Sequence, residues 1–416
     1  MTAHEMIRQG HEVRLVDEHV PAHRGDLPVK SLETADLQWA DLVIPSPGIP
    51  RNHPLFSRAR RVLSEVEVAS SLLSGRIIAI TGTNGKTTTT TLIHAILKEA
   101  GFDVGIGGNI SPPLISLVEK NPQWVVAEIS SFQMEWIERF RPFISICLNI
   151  TPDHLDRYRD MDEYVFYKLK IFSQQTSADI AVINDDDPYL RNLDLPCRLA
   201  GFSLSPPRTE EGAYLIGERI RFQGTIGGPG PRIPDPAILG GGVVEDMLAS
   251  ALVCRLLGID SSLMERAFST FKTIHHRFEQ VATIEGITFI DDSKATNVGA
   301  LEKALSSVRS RVVLILGGKD KGGDFSQIAR RYHGTIGKVV VLGEATRRIT
   351  REMSPLVACC SARDMEEAVW KAYRSALPGD IVLLSPGCSS FDMFKSYAHR
   401  GEVFRGCVDS ILQSMK

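Results

Sequence analysis

The sequence predicts an α/β protein of several domains, built on doubly wound parallel sheets, and three observations carry that prediction. Short apolar runs such as Arg76-Ile-Ile-Ala-Ile80, Trp124-Val-Val-Ala-Glu128, Val312-Val-Leu-Ile-Leu316 and Lys338-Val-Val-Val-Leu342 alternate with stretches of helical apolar spacing, the order of repeated βαβ units. A glycine-rich turn, Thr81-Gly-Thr-Asn-Gly-Lys-Thr87, separates the first of these runs from a helical pattern. The length of 416 residues allows about two to four domains at roughly 100–200 residues each.

Composition narrows the class. With 47 basic against 50 acidic side chains the net charge is −3, which excludes a strongly basic nucleic-acid-binding chain, and 43% hydrophobic residues exclude a disordered one. The seven cysteines are odd in number and form no C-x-x-C pair, so neither a disulfide framework nor a zinc site is expected. The start, MTAHEMIRQGHEV, lacks an apolar export segment, and no apolar run reaches membrane-spanning length. A cytoplasmic protein is expected.

The elements follow in order. Ala3, Met6 and Ile7 sit at helical spacing with Gly10 as a stop, and Glu12-Val-Arg-Leu-Val-Asp17 reads as a short strand closed by an acid. A strand is expected over Asp41-Leu-Val-Ile-Pro45, leading into the turn-rich Ser46-Pro47-Gly48-Ile49-Pro50. Next come the strand Arg76–Ile80, the glycine turn, and a helix over Thr88–Ala100 with Leu92, Ile93, Ile96 and Leu97 on one face. Strand, turn and helix in this order make a phosphate cradle. Glycines let backbone N–H groups curl around oxygens, the helix N-terminus favours anions, Lys86 meets the terminal phosphates and the Thr87 hydroxyl reaches a magnesium ion. Ile80 stands where the usual pattern has its first glycine, so the loop is a variant.

Such a cradle needs a metal carboxylate at a neighbouring strand end, and Glu128 closes the apolar run that precedes Ile129-Ser-Ser-Phe-Gln133. The strand Ile144–Ile150 leads to Thr151-Pro-Asp-His-Leu-Asp156, where His154 follows a strand C-terminus, the place where ligands gather in open α/β sheets. Lys168 and Lys170 lie in an aromatic-rich helical stretch, Tyr164–Phe172, where a lysine ordinarily snorkels at the surface. Glycine and proline crowd residues 200 to 242, so irregular hairpins and loops are expected there, followed by helices over Val244–Leu257 and Leu263–Phe271. Beyond His275-His-Arg277-Phe-Glu279 come strands at Gly286–Ile290, 312–316, 338–342 and Asp380–Leu384. The loops after them, Asp291-Asp-Ser-Lys-Ala-Thr-Asn297, Gly317-Gly-Lys-Asp-Lys321 and Ser385-Pro-Gly-Cys-Ser-Ser-Phe391, carry the Lys, Ser, Thr and Asp that an anionic ligand calls for.

Taken together and in this order, GTNGKT, EISSFQ, the NxTPDHLD loop, HRFE, DDSKATN and LLSPGCSSFD resemble the Mur ligases of peptidoglycan synthesis. SSFQ together with DSKATN resembles the branch that adds D-glutamate. The resemblance implies three domains. An N-terminal Rossmann-like UDP-substrate domain over 1–74, lacking its first strand, precedes a central P-loop ATPase domain with a parallel sheet over 75–273 and a C-terminal Rossmann-like amino-acid domain over 274–416. It implies ATP on Gly82, Thr83, Asn84, Gly85, Lys86, Thr87 and Thr88, with Arg277 and Asp292 as further nucleotide contacts, and two Mg2+ ions held by Thr87, Glu128 and His154. Lys168 falls where these ligases carry a carbamylated lysine, one residue closer to His154 than expected, and a CO2-derived carbamate there would be a further metal ligand. Lys86, Glu128, His154 and Lys168 are thus the expected catalytic set.

For substrates the resemblance implies Asp17, Ser46, Gly48 and Asn109 on the UDP-sugar side. Lys294 and Thr296 would sit between ATP and the amino acid, and Lys321, Ser390, Phe391 and Tyr397 around D-glutamate. The expected partners are UDP-N-acetylmuramoyl-L-alanine and D-glutamate, with no nucleic acid, no membrane insertion, and a monomeric chain. Because the P-loop and the amino-acid pocket lie on different domains, closure is expected to bring them together. Where the family has an asparagine facing adenine this chain has Asp246, which accepts a hydrogen bond but cannot donate as an amide does. Two other readings stay open on sequence grounds: a folylpolyglutamate-synthetase-like ligase, and a nucleotide-binding but catalytically impaired truncated homologue.

Overall fold

A computed structural model describes residues 1–17, 27, 29–31, 38–234, 241–271, 275–308 and 310–414. The expected boundary near 273 lies outside the described residues.

Three sheets form among the described residues. The smallest pairs β1 (Leu15–Asp17) with β2 (Val29–Ser31) in parallel, behind an opening helix Thr2–Arg8. The expected strand over 41–45 is reduced to a single parallel bridge, Val43 to Val62; Pro45 and Pro47 offer no N–H to extend it.

The central sheet has nine strands: β3 (Arg76–Thr81), β4 (Val104–Gly108), β5 (Trp124–Glu128), β6 (Ile144–Cys147), β7 (Ile180–Asn184), β8 (Arg198–Phe202), β9 (Glu211–Ile216), β10 (Arg219–Gln223) and β11 (Gly228–Arg232). Their order is β11-β10-β9-β8-β7-β6-β3-β5-β4. From β4 to β9 all neighbours are parallel, and β9-β10-β11 close the edge antiparallel. The hairpins expected between 200 and 242 are present as β9-β10-β11; the correction is that they are regular strands continuing the central sheet rather than irregular loops. Gly212 and Gly230 sit where an added Cβ would strike Pro207 or Phe222, so the glycines that look like breakers permit close strand packing instead. The sheet is buried on both faces, by Ile78, Ile80, Leu92, Ile93 and the helix Gly241–Leu256 on one side, and by Ile77, Ala79, Val125 and Phe140 on the other.

The third sheet is built from β12 (Glu279–Ile284), β13 (Ile287–Asp291), β14 (Val312–Gly317), β15 (Ile336–Leu342), β16 (Cys359–Ser361) and β17 (Ile381–Leu384). Their order is β12-β13-β17-β14-β15-β16, parallel except for β12-β13. Every strand expected from sequence in this region is present. Two further apolar clusters cover its faces. The C-terminal ends of β3, β5, β6 and of β13 and β14 carry the loops that meet in one cleft.

Candidate functional site

The phosphate cradle is built as its residue types require. β3 ends at Thr81, and the helix Lys86–Glu99 begins two residues before its expected start, capped by Gly85 at a φ of 90°. A side chain at Gly85 would be strained by that φ, and its Cβ would lie 2.0 Å from Asp246 Oδ1, so only glycine fits. Asn84 is clamped by Asn149, whose Oδ1 accepts from the Asn84 N–H at 2.9 Å and whose Nδ2 donates to the Asn84 carbonyl at 3.1 Å. Thr83 Oγ1 holds Thr151 and Tyr164.

Two lysines converge beneath the loop. Lys86 Nζ donates to the carbonyls of Gly82 at 2.8 Å and Thr83 at 2.9 Å, and Lys168 Nζ donates to the same Gly82 carbonyl at 2.8 Å. Burial lowers the Lys86 ammonium from its ordinary range. Burial, then the neighbouring Lys86, brings Lys168 down to about 7. The surface reading of Lys168 is overturned, since its side chain is only 2% exposed; its neighbour Lys170 reaches the Ile137 carbonyl from a part-buried position. Helical spacing and aromatic neighbours did not reveal which lysine faces inward.

The metal candidates surround the cradle. Glu128, buried at the end of β5, accepts from Asn109 Nδ2 at 2.8 Å through Oε1, while its buried Oε2 has no partner among the described residues. An orphaned carboxylate oxygen in the same cavity as Thr87 fits a divalent cation. His154 stands at a φ of 57°, a conformation costing about 1–3 kcal/mol in a non-glycine residue. Burial lowers its imidazole to about 4, against the opposite pull of Asp153, so it is neutral and able to ligate.

One cavity of about 460 Å³ collects most of the predicted residues: Thr83, Asn84, Gly85, Lys86 and Thr87 from the cradle, with Asn109, Glu128 and His154 beside them. From the third sheet it adds Arg277, Asp292, Lys294, Thr296, Lys321 and Tyr397. Gly82, Thr88 and Lys168 lie just behind this wall. Arg277 donates to Thr88 Oγ1 and pairs with Asp246 Oδ2 at 3.2 Å. Burial pushes the Asp246 carboxyl up to about 7 against the pull of Arg277. It also pushes Asp292 up to about 7, although Ser385 Oγ donates to it at 2.7 Å. Burial, then Arg277, brings Lys294 down to about 8.

Other expected residues stand apart from the cavity. Ser390 is buried behind it, and Phe391 is 72% exposed outside it. Asp17 ends β1, and the exposed Ser46 and Gly48 lie on the N-terminal side, where the Gly48 carbonyl accepts from Arg157. Sequence reasoning assigned no role to Asp153 or Asn297. Asp153 takes Lys321 Nζ at 3.0 Å and Asn297 Nδ2 at 3.0 Å, and these partners hold its carboxyl below the usual range although burial alone would raise it. Lys303 also escaped notice; it pairs with Glu245 on the helix Gly241–Leu256. Asp153 and Asn297 both lie in motifs read for other members, which is the signal that would have found them.

Comparison with known proteins adds an independent finding. Residues 80–206 match the Mur ligase middle domain, and residues 276–388 the Mur ligase glutamate ligase domain. The chain is 42% identical over 388 residues to the UDP-N-acetylmuramoylalanine–D-glutamate ligase of Geobacter metallireducens, covering 91% of this chain and 85% of that protein. It is 41% identical over 382 residues to the enzyme of the same name from Trichlorobacter lovleyi, with 89% and 85% coverage. Among solved structures, the MurF ligase of Thermotoga maritima in complex with ADP aligns at a TM-score of 0.64 and 18% identity, covering 92% of this chain and all of that one. A pseudomurein peptide ligase type C from Methanothermus fervidus aligns at 0.65 and 18% identity, over 98% and 96%. At these identities the structural matches speak to the fold.

Proposed function

The chain belongs to the Mur ligase family, and from that membership and the cleft described above we infer that it adds D-glutamate to UDP-N-acetylmuramoyl-L-alanine, consuming ATP in peptidoglycan precursor synthesis. One observation carries the reading at the level of chemistry: a single cavity joins the phosphate cradle to the cationic loops of the third sheet. An ATP-dependent ligase needs a nucleotide and an amino acid within reach of one carboxylate. The 42% identical relative carries it at the level of substrate.

In this reading the L-alanyl carboxylate attacks the γ-phosphate to give an acyl phosphate and ADP, and the D-glutamate amine displaces phosphate through a tetrahedral intermediate. Lys86 and the backbone N–H groups of Gly82–Thr88 orient the phosphates, Arg277 and Asp292 flank the nucleotide, and Asn109 faces the UDP-sugar side with Asp17, Ser46 and Gly48. Lys294, Thr296, Lys321, Ser390, Phe391 and Tyr397 serve the amino acid, whose two carboxylates suit ammonium and hydroxyl donors. Thr87 and Glu128 would hold one Mg2+, and His154 with a carbamylated Lys168 a second; bound there, such ions neutralise phosphate charge. The lowered Lys168 ammonium supports the carbamate, because CO2 adds to a neutral amine. We divide the chain at about 74 and 273. We place it in the cytoplasm with its nucleotide substrates and as a monomer carrying its own cleft; no described helix is long and apolar enough to cross a membrane.

The deciding experiment is release of ADP and phosphate that requires both UDP-N-acetylmuramoyl-L-alanine and D-glutamate. Lys86→Ala is expected to abolish it. Substrate-dependent phosphate release by that variant would sink the assignment, and release dependent on a folate would revive the folylpolyglutamate-like alternative.

A further inference from the structure

Arg157 is not among the expected site residues, yet it makes more directed contacts than most of them. Its Nε and Nη2 donate to Glu135 Oε1 and Oε2, both at 2.7 Å, in a two-point fork that a lysine cannot reproduce. The pair is buried, with side chains 10% and 1% exposed. The remaining N–H groups reach across to the N-terminal segment: Nη1 donates to the Gly48 carbonyl at 3.2 Å and Nη2 to the Ile49 carbonyl at 3.0 Å. The guanidinium carbon lies 4.1 Å from the centre of the Phe132 ring. That ring meets His154 edge-on, with centroids 4.7 Å apart at 62°. The Arg157 backbone N–H donates to the His154 carbonyl at 3.0 Å, fixing the turn that holds His154 at its positive φ.

We propose that Arg157 is the positioning residue that ties the Ser46–Gly48 loop to His154, so that one guanidinium sets both the UDP-sugar end and the phosphate end of the cleft. The proposal rests on the functional reading above. Its physical content is geometric. The planar fork is locked by Glu135, leaving the outer N–H groups no freedom except to hold the loop carbonyls. The face of the same plane fixes the Phe132 ring, and through it the imidazole. The loop is exposed at Ser46, Pro47 and Gly48, and Arg157 holds its carbonyls directly, while Arg51 beyond it is held separately by Tyr167 and Trp136.

The test uses the full chain with Arg157→Lys, which keeps the charge and loses the fork, and Phe132→Leu, which removes the ring between the guanidinium and His154, with its contact to Tyr158, and leaves the loop bonds in place. Steady-state kinetics are measured for each of the three substrates alongside thermal melting. For Arg157→Lys the KM for the UDP-sugar substrate is expected to rise about tenfold with a comparable fall in kcat, while KM for ATP stays within about twofold. For Phe132→Leu only kcat is expected to fall. Glu135→Gln, which weakens the anchor without removing the loop bonds, is expected to follow Arg157→Lys at smaller size, and it carries the test should Arg157→Lys not fold. A lower melting temperature with wild-type kcat and KM values would make Arg157 merely structural and overturn the proposal. So would a parallel rise of all three KM values. Wild-type protein that turns over none of these substrates would overturn the functional reading and this inference with it; an active wild type with an unmoved Arg157→Lys overturns this inference alone.

Discussion

Several side chains in and behind the cleft are held away from their ordinary charge states, Lys168 and Asp246 in opposite senses. Gly82 offers one carbonyl to two ammonium groups, those of Lys86 and Lys168, and the crowding of like charges helps burial to discharge Lys168. Asp246 is the converse. Pressed against Gly85 and paired with Arg277, it is protonated below about 7 and anionic above. As pH rises through that value, a negative charge develops beside the phosphate cradle, and ATP affinity is expected to fall. Asp246→Asn has no such charge and can donate as well as accept, so its KM for ATP is expected to be severalfold lower than wild type at pH 8 and to converge with it near pH 6. Parallel pH profiles of KM for the two proteins would contradict this.

At the scale of elements, the short helix Ser131–Met134 shows how a motif becomes a support. Ser130 caps it in a reciprocal box with Gln133, which leaves Phe132 projecting toward His154. Ser130→Ala is expected to cost about 1 kcal/mol, read as a lower denaturation midpoint with unchanged m-value. The strands with unbroken apolar runs are plain in the sequence, because they depend on neighbours within a pleat. The cradle was legible for the same reason. What the sequence hides is long-range pairing. Asp153 and Lys321 are 168 residues apart, and Lys168 points inward only because the Gly82 carbonyl, 86 residues earlier, waits there. That the hairpins β9 to β11 are regular and continue the central sheet was hidden too, since glycines that relieve packing between strands look the same in sequence as glycines that end them.

At the scale of the whole molecule, the buried apolar clusters divide cleanly. Among the described residues, those around the central sheet draw on residues up to Phe271, those around the third sheet on residues from Phe278 onward, and none joins the two. Contact across the cleft is polar instead: Arg277 with Asp246 and Thr88, Lys303 with Glu245, Lys321 and Asn297 with Asp153. Interfaces of this kind permit relative motion. Scanning calorimetry of the ligand-free protein is therefore expected to resolve two unfolding transitions, which a non-hydrolysable ATP analogue touching both sides would draw together; one ligand-independent transition would contradict the division. Because the two halves meet through charges and amides rather than hydrocarbon, parting them uncovers little that water avoids. Opening should then carry almost no heat-capacity change, leaving the balance between open and shut nearly indifferent to temperature. An enzyme that must admit three substrates and release three products in every cycle can do so without baring a sticky surface to its neighbours.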